Sequence, residues 1–467
     1  MKNDEFRARA HELVDWMADY FEDESYKVAP PTLPGEVRDQ FPTTAPEDAE
    51  NFDAIFRDFQ QTIVPNMTHW NHPGWFAYFP ANNSPPSVLA EMLTATLGAQ
   101  CMSWQTSPAA TELEQVVMSW LQQACGLPEH FRGVIHDTAS TGTLVALITA
   151  REKVRATHPN ASMRVYTSSE AHSSIDKAVK MAGFGLENLV RIAVDEHLAM
   201  RPDALLHAIE QDIIQGHTPA AVCATIGTTS TTAIDPIYDI GKICREHGIW
   251  FHVDAAYAGT AALLPEFRWM FDGLEFADSY VFNPHKWMLT NFDCTAYFVA
   301  DPATLVETFQ TSPEYLKTQF DAEVPNFRDW GIQLGRRFRA LKLWFVMRAY
   351  GLEGIRTMLR HHIALADGLR IQVVESPRFE LMAEGRLGLV VLRAAPDSVP
   401  NNELDDLNAA LLAKLNAEGH VYATHTRVTG RYAIRVSIGQ WRTEKRHVDA
   451  LWTSLNRILD DVLRHST

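Results

Sequence analysis

Apolar residues recur along this chain with two different periods. Leu13, Val14, Met17 and Phe21 fall at helical spacing within residues 5–22, and residues 51–63 read as a second helix. Between them "APPTLPGE" (29–36) has no period and reads as an extended linker. From about residue 85 short apolar runs alternate with helical stretches. "GVIHDTAS" begins like a strand and leads into "TGTLVALITAREKVR"; "RVYTSS" precedes "SSIDKAVKMAG"; "LVRIAV" precedes "PDALLHAIEQDII"; "AAVCATIG" precedes "IYDIGKICREHG". "IWFHVDAA" and "ADSYVFNP" add two further strand-like runs. This alternation predicts an α/β architecture with a mostly parallel sheet covered on both faces, and such sheets gather ligands at the carboxyl ends of their strands.

A long helix is expected near 333–349. From about residue 375 the order becomes mixed: the strand pair "FELMAEG" and "LGLVVLRA", a helix near 403–417, the strand pair "YATHTRV" and "YAIRVSIG", and a last helix near 444–464. The expected organisation is a helical N-terminal arm (1–84), a large α/β domain (85–361) and a small α+β domain (362–467). The arm cannot bury both faces of its helices by itself, so a second subunit is the expected partner for it.

Composition narrows the function classes. The chain has 467 residues and a formal charge of −17, which argues against nucleic acid or an anionic membrane as the main partner. No apolar run approaches the ~20 residues that span a bilayer, and "MKNDEFRARAHELVDWMADYF" is charged throughout, so a cytoplasmic location is expected. Cys101, Cys125, Cys223, Cys244 and Cys294 lie far apart with no C-x-x-C pair, which suits reduced, buried thiols. His69 and His72 have no carboxylate or cysteine beside them, and no metal is expected.

Three polar features follow expected strands. Asp254 ends "IWFHVDAAYAG", Lys286 follows "YVFNP", and Thr138, Ala139 and Ser140 lie between "GVIH" and a helix. Singly each has an ordinary reading: a turn aspartate, a surface lysine, an N-cap with spare hydroxyls. "DTAS" lacks the G-x-G-x-x-G spacing, which rejects a dinucleotide site. Together they supply a lysine that can become a carbonyl-seeking amine, a carboxylate able to keep a pyridine nitrogen protonated, and a helix N-terminus able to take a phosphate. Those are the needs of pyridoxal 5'-phosphate.

The order "MTHWNHPGWFAYFP", "SWQTSPAATELE", "AHSSIDKA", "IGTTSTT", "HVDAAYAG", "NPHKW" and "LGRRFRALKLWFVMRAYG" closely resembles the aromatic L-amino acid decarboxylases, group II pyridoxal-dependent decarboxylases, from about residue 5 to 464. The resemblance implies the aspartate aminotransferase type fold and an obligate homodimer with a swapped arm and active sites drawing on both chains. Lys286 matches the lysine that carries the cofactor covalently, Asp254 the partner of the pyridinium nitrogen, and His172 the histidine stacked on the ring with Ala256 on its other face. Thr138, Ala139 and Ser140, with Asn283 and His285, match positions around the phosphate, and Thr229 a threonine near the ring's phenolic oxygen. Tyr315, 29 residues beyond Lys286, matches the mobile-loop tyrosine expected to donate a proton after CO2 leaves. Trp70, Tyr78 and Phe79 match aromatic lining of the substrate pocket.

The match departs where substrate is chosen. Ala81 stands where animal enzymes have threonine, Met102 replaces an interfacial phenylalanine, and Asp137 occupies a usual glycine position beside the phosphate. Gly335, in "QLGRR", is glycine in enzymes for indole and DOPA substrates and serine in the histidine and plant tyrosine branches. Arg336, Arg337 and Arg339 read as structural ion-pair partners. The implied activity is decarboxylation of an aromatic L-amino acid (tryptophan, 5-hydroxytryptophan, DOPA, phenylalanine or tyrosine) to the amine and CO2. Its rivals are an aromatic acetaldehyde synthase, in many of which the loop tyrosine is phenylalanine, a decarboxylase of a non-aromatic amino acid on the same fold, and a catalytically dead scaffold.

Overall fold

The structure, a computed structural model, describes residues 1–311, 320 and 323–465. The chain divides into two compact units, one of Met1–Pro80, Gly368–Glu380 and Leu392–Thr467 and one of Ala81–Asp367 and Leu381–Val391.

The second unit holds a seven-stranded sheet built from β1 (Arg132–His136), β2 (Met163–Ser168), β3 (Leu189–Ile192), β4 (Thr218–Thr225), β5 (Trp250–Asp254), β6 (Ser279–Phe282) and β7 (Thr295–Val299), in the order β1-β7-β6-β5-β4-β2-β3. The pairs β2–β3, β2–β4, β4–β5 and β5–β6 are parallel, as the strand–helix alternation predicts. Strand β7 is antiparallel to both neighbours. It was not anticipated: "TAYFV" is a short, wholly buried run without a strand period, and it follows the lysine turn rather than a helix. Helix Ala139–Thr157 buries Val145, Leu147 and Ala150 against Val165, Val179, Ala221, Val281 and Tyr297, so the sheet is covered as burial of its apolar strands requires. Register pairs Thr225 with Asp254 and Asp254 with Val281, which sets the carboxyl ends of β4, β5 and β6 side by side.

The long helix runs Arg339–Glu375 and is interrupted at Gly351, where φ is +61°. It begins six residues later than the apolar spacing suggests. The reason is tertiary: the Arg336 N–H donates to Gln100 Oε1 at 2.7 Å, and its C=O accepts from Cys101 N–H at 2.9 Å. Those partners take the backbone groups that a helix would use.

A smaller four-stranded sheet comprises β8 (Phe379–Leu381), β9 (Leu389–Ala394), β10 (Thr424–Val428) and β11 (Arg431–Ser437), in the order β10-β11-β9-β8. Helices Leu404–Glu418 and Lys445–His465 accompany it. In the first unit, helix Asn3–Glu22 has no buried residue. All five cysteines are buried and unpaired. Among the described residues no helix is long and apolar enough to cross a membrane.

Candidate active site

Asp254 is the last residue of β5, and its carboxylate lies in a buried setting. Its Oδ1 accepts the Ala256 N–H at 2.9 Å, which folds the "DAA" turn back over the strand end. Beside it in register sits Thr225, whose buried hydroxyl finds no hydrogen-bond partner among the described residues. The Thr225 N–H is held at 2.8 Å by Asp235, a carboxylate that also accepts from Met200 N–H at 2.7 Å. Burial raises the Asp235 pKa to about 6, against the two backbone donors that pull it down.

Past β4 the chain turns through Gly227, at φ +81°, where a Cβ would lie 2.6 Å from Ala258 Cβ. Only glycine fits that approach without strain. The following loop presents Thr229 half-buried, with Thr228 Oγ1 accepting the Ala233 N–H at 3.0 Å to close it.

Lys286 follows β6 on a single helical turn, Pro284–Trp287. The turn is pinned from both sides. The Lys286 N–H donates to the Asn283 C=O at 2.9 Å, and its C=O accepts from Asn82 Nδ2 at 2.7 Å. Trp287, fully buried, stacks on Tyr257 with ring centroids 4.7 Å apart and donates to His362 Nδ1 at 3.0 Å. The side chain of Lys286 is left half-buried at the strand ends. His285 next to it is buried, and its Nδ1 accepts the Cys294 N–H at 3.0 Å, so the ring proton sits on Nε2. Burial first, then the Lys286 cation, push its pKa down to about 3.

Helix Ala139–Thr157 starts directly after β1. Thr138 caps it, its hydroxyl accepting the Thr141 N–H. The Ala139 N–H donates to Asn283 Oδ1 at 3.1 Å, and the Ser140 side chain is exposed at the open end. Asn283 N–H in turn donates to the Ala256 C=O at 3.0 Å, so one asparagine ties β6, the β5 turn and the helix start together. Asp137 before the cap is bonded through both oxygens: Oδ1 accepts its neighbour Thr138 N–H at 2.7 Å and Oδ2 accepts Gln333 Nε2 at 3.2 Å.

His172 lies between β2 and helix Ser174–Met181, with an exposed ring. Its Nδ1 accepts the Ser174 N–H at 3.1 Å, which leaves the proton on Nε2. Desolvation lowers its pKa, while Asp254 works to raise it and Lys286 to lower it. Ala256 is half-buried at the same strand end.

Met102 is half-buried, and its C=O accepts the Arg328 N–H at 2.8 Å; Ala81 is half-buried and Gly335 exposed. Trp70 and Tyr78 belong to the first unit, where both are exposed and stack with centroids 5.6 Å apart at 14°. Phe79 there is buried, with the Arg435 guanidinium 4.4 Å from its ring centre and bonded to the Tyr78 carbonyl. Tyr315 lies outside the described residues. Among the described residues no group of three or more His, Cys, Asp or Glu is placed to hold a metal.

Asn82, Thr225 and Asp235 were missed from the sequence. Asn82 sits in the polar tract "PANNSPP" and Asp235 before a proline, both of which read as turn chemistry. Their partners are 204 and 10 residues away and carry no local signal.

The donor set suits a phosphorylated pyridine aldehyde. A buried carboxylate with an unpartnered hydroxyl beside it, a half-buried amine, neutral imidazoles and a capped helix start converge on one sheet edge.

The pyridoxal-dependent decarboxylase conserved domain matches residues 34–395. The aromatic-L-amino-acid decarboxylase of Sus scrofa is 41% identical over 99% of this chain and 98% of its own. The crystal structure of Catharanthus roseus tryptophan decarboxylase in complex with L-tryptophan superposes with TM-score 0.95 at 39% identity, covering 99% of both chains. That of Rhodiola rosea 4-hydroxyphenylacetaldehyde synthase gives 0.94 at 33%, again over 99% of both. The chain belongs to the pyridoxal-dependent decarboxylase family and has its fold.

Proposed function

We propose that this enzyme decarboxylates an aromatic L-amino acid to the corresponding amine, using pyridoxal 5'-phosphate held at the carboxyl ends of β4, β5 and β6. The observation that carries the reading is that Asp254 ends β5, Lys286 follows the neighbouring β6, and both lie near enough to His172 to act on its protonation. When bound, the cofactor supplies an electron sink for the bond to the departing carboxylate.

The protein's part follows from its own residues. Lys286 would hold the cofactor's aldehyde carbon through its amine. Asp254 would keep the ring nitrogen protonated, an anion favouring the charged form of its partner. His172, neutral and with its Nε2–H free of the Ser174 contact, would lie on the ring face, with Ala256 on the other. Thr229 would approach the phenolic oxygen. Thr138, Ala139, Ser140, Asn283 and His285 would enclose the phosphate, on a helix N-terminus whose dipole favours an anion. Tyr315 is the proposed proton donor to the substrate carbon after CO2 departs.

The substrate class rests on the names of the relatives and on aromatic candidates for the pocket: Trp70, Tyr78 and Phe79, with Ala81, Met102 and Gly335 as smaller contributors. Tyr315 in place of phenylalanine favours simple decarboxylation over aldehyde formation. We read the molecule as a homodimer whose arm (1–84) is exchanged, in support of which helix Asn3–Glu22 has no buried residue in the single chain. Residues 85–361 and 362–467 are proposed as its large and small domains. The five buried, unpaired thiols support a cytoplasmic enzyme.

The test is a panel of aromatic amino acids with purified holoenzyme, scored for CO2, amine and hydrogen peroxide. Amine and CO2 in equal amounts are expected. Peroxide and ammonia formed in step with CO2 would replace the reading by an aldehyde synthase, and no product from any substrate would reject both.

A further inference from the structure

Helix Pro108–Cys125 buries Ala110, Thr111, Val117, Met118 and Leu121 along one stripe, and Glu114 stands in the middle of it. Its side chain is 3% exposed, and its partner Arg336 is 5% exposed. A carboxylate in an apolar stripe is costly unless it is paired and fully bonded, so its contacts show what it is there for. Glu114 Oε1 accepts Arg336 Nη2 at 2.6 Å and also the backbone N–H of Ile135 at 2.8 Å. Arg336 Nη2 donates to the C=O of the same Ile135 at 2.8 Å.

Ile135 belongs to β1, which is an edge strand of the seven-stranded sheet. An edge strand leaves a row of backbone donors and acceptors without a neighbouring strand. Here a carboxylate and a guanidinium serve one residue of that edge as a further strand would. The strand ends one residue later, at His136, and runs through Asp137 into Thr138, the cap of helix Ala139–Thr157.

The same guanidinium reaches two other segments. Arg336 Nη1 donates to the Cys101 C=O at 3.3 Å, beside Met102, and the guanidinium carbon lies 4.9 Å from the Phe327 ring centre. The 326–336 segment is joined to these neighbours elsewhere. Trp104 N–H donates to Asn326 Oδ1 at 3.2 Å, and Gly331 sits where a Cβ would be 2.7 Å from His136 Cε1.

We propose that Glu114 and Arg336 are a positioning pair: they hold the edge of β1, and through it the helix start that receives the cofactor's phosphate, in register with the 100–104 and 326–336 segments. The proposal rests on the cofactor reading above. It places the pair's effect on seating the cofactor rather than on the chemical step, since the pair's bonds go to the β1 edge at Ile135 and to Cys101.

Apoenzyme is titrated with pyridoxal 5'-phosphate, followed by absorbance and protein fluorescence, and hydrogen exchange is read at Ile135. Glu114→Ala is expected to weaken cofactor binding by roughly 10–100-fold, the size of one or two lost charge-assisted bonds, and to speed exchange at Ile135. At saturating cofactor, kcat should stay within about threefold of wild type, well under a tenfold barrier change. Glu114→Gln, which keeps an oxygen for the Ile135 N–H, should recover most of the affinity. A folded Glu114→Ala protein that melts lower yet binds the cofactor as wild type does would reduce the pair to a structural role and overturn the proposal. If that variant does not fold, Arg336→Lys takes its place. It keeps the charge opposite Glu114 but loses the forked donation to Ile135 and Cys101, and unchanged affinity there overturns the proposal equally. Wild-type protein that takes up no cofactor would overturn the cofactor reading itself, and is told apart because no variant is needed to see it.

Discussion

The side-chain carbonyl of Asn283 accepts the backbone N–H of Ala139 at 3.1 Å, and so joins the turn that carries Lys286 to the first residue of helix Ala139–Thr157. It also accepts the Thr295 hydroxyl at 2.6 Å, bringing β7 into the same joint. The turn that carries Lys286, the start of helix Ala139–Thr157 and β7 are therefore tied together at one side chain. Asn283→Ala would leave the Ala139 N–H without its acceptor in a buried place. A loss of about 1–3 kcal/mol in unfolding free energy is expected, measured by urea denaturation, together with faster loss of cofactor on dialysis. A denaturation midpoint equal to wild type would show that the joint is not required.

The backbone of Lys286 is tied into the fold: its N–H donates to the Asn283 C=O and its C=O accepts from Asn82 Nδ2, bonds that a change of side chain leaves in place. Lys286→Ala should thus keep the melting profile and lose both amine production and the cofactor's visible absorption. Asp254→Asn keeps the size of the side chain but not its charge. Its kcat is expected to fall roughly 100–1,000-fold, the range for losing one preorganised electrostatic partner. Steady-state kinetics at saturating cofactor checks this, and a Lys286→Ala protein still turning over substrate would remove the lysine from its role.

Among the described residues, His136, His252 and His285 are buried with strongly depressed pKa values. Burial holds His136 and His285 down at about 3 and His252 at about 4, against 6.5 for a free imidazole. Because their folded pKa values are depressed, the unfolded chain binds more protons in the window from 6.5 down to about 4. Stability is complete above that window and is lost as the pH falls through it. Each histidine should remove on the order of 1 kcal/mol per pH unit there. Asp235, raised to about 6, works in the opposite direction, gaining stability as the pH falls from 6 towards 4; burial also raises Asp278 and Glu170, while it also lowers His69, His72 and His447. Calorimetry from pH 8 to 4 should give a melting temperature that drops below pH 6.5, with a shallower slope in His136→Gln. A melting temperature rising towards pH 4 would contradict the assignment.

Gly335 is exposed, and a Cβ there would come 3.3 Å from Gln100 Nε2, the far end of a flexible side chain. Gly335→Ser should therefore fold with a stability change within about 0.5 kcal/mol. Its effect belongs on substrate choice: the ratio of kcat/KM for an indole to that for a phenol substrate is expected to shift about tenfold. Competition assays with tryptophan and tyrosine read that ratio directly, and an unchanged ratio would take position 335 out of the pocket.

Part of the proposed site was legible in the sequence because its chemistry is local. Lys286, Asp254 and the Thr138–Ser140 stretch each follow an apolar strand-like run, and β/α alternation alone puts strand ends on one edge. The remaining assignments came through resemblance, and Tyr315 stays outside the described residues. What escaped was held by distant partners. Strand β7 has no period that separates a buried strand from other buried runs, and the start of the long helix was misplaced because Gln100 and Cys101, more than 230 residues earlier, take the backbone groups of Arg336.

By itself the amino-acid order determined the α/β plan, the residue types able to hold a phosphorylated aldehyde, and the strand ends where they lie, since period, turn chemistry and side-chain chemistry act over a few positions. Tertiary structure alone decided how those ends are locked. Asn283 bridges 144 residues to Ala139, and Arg336 bridges 222 to Glu114. Such bonds exist only once the sheet has formed and excluded water, where a paired polar group is held firmly and an unpaired one is too costly to keep.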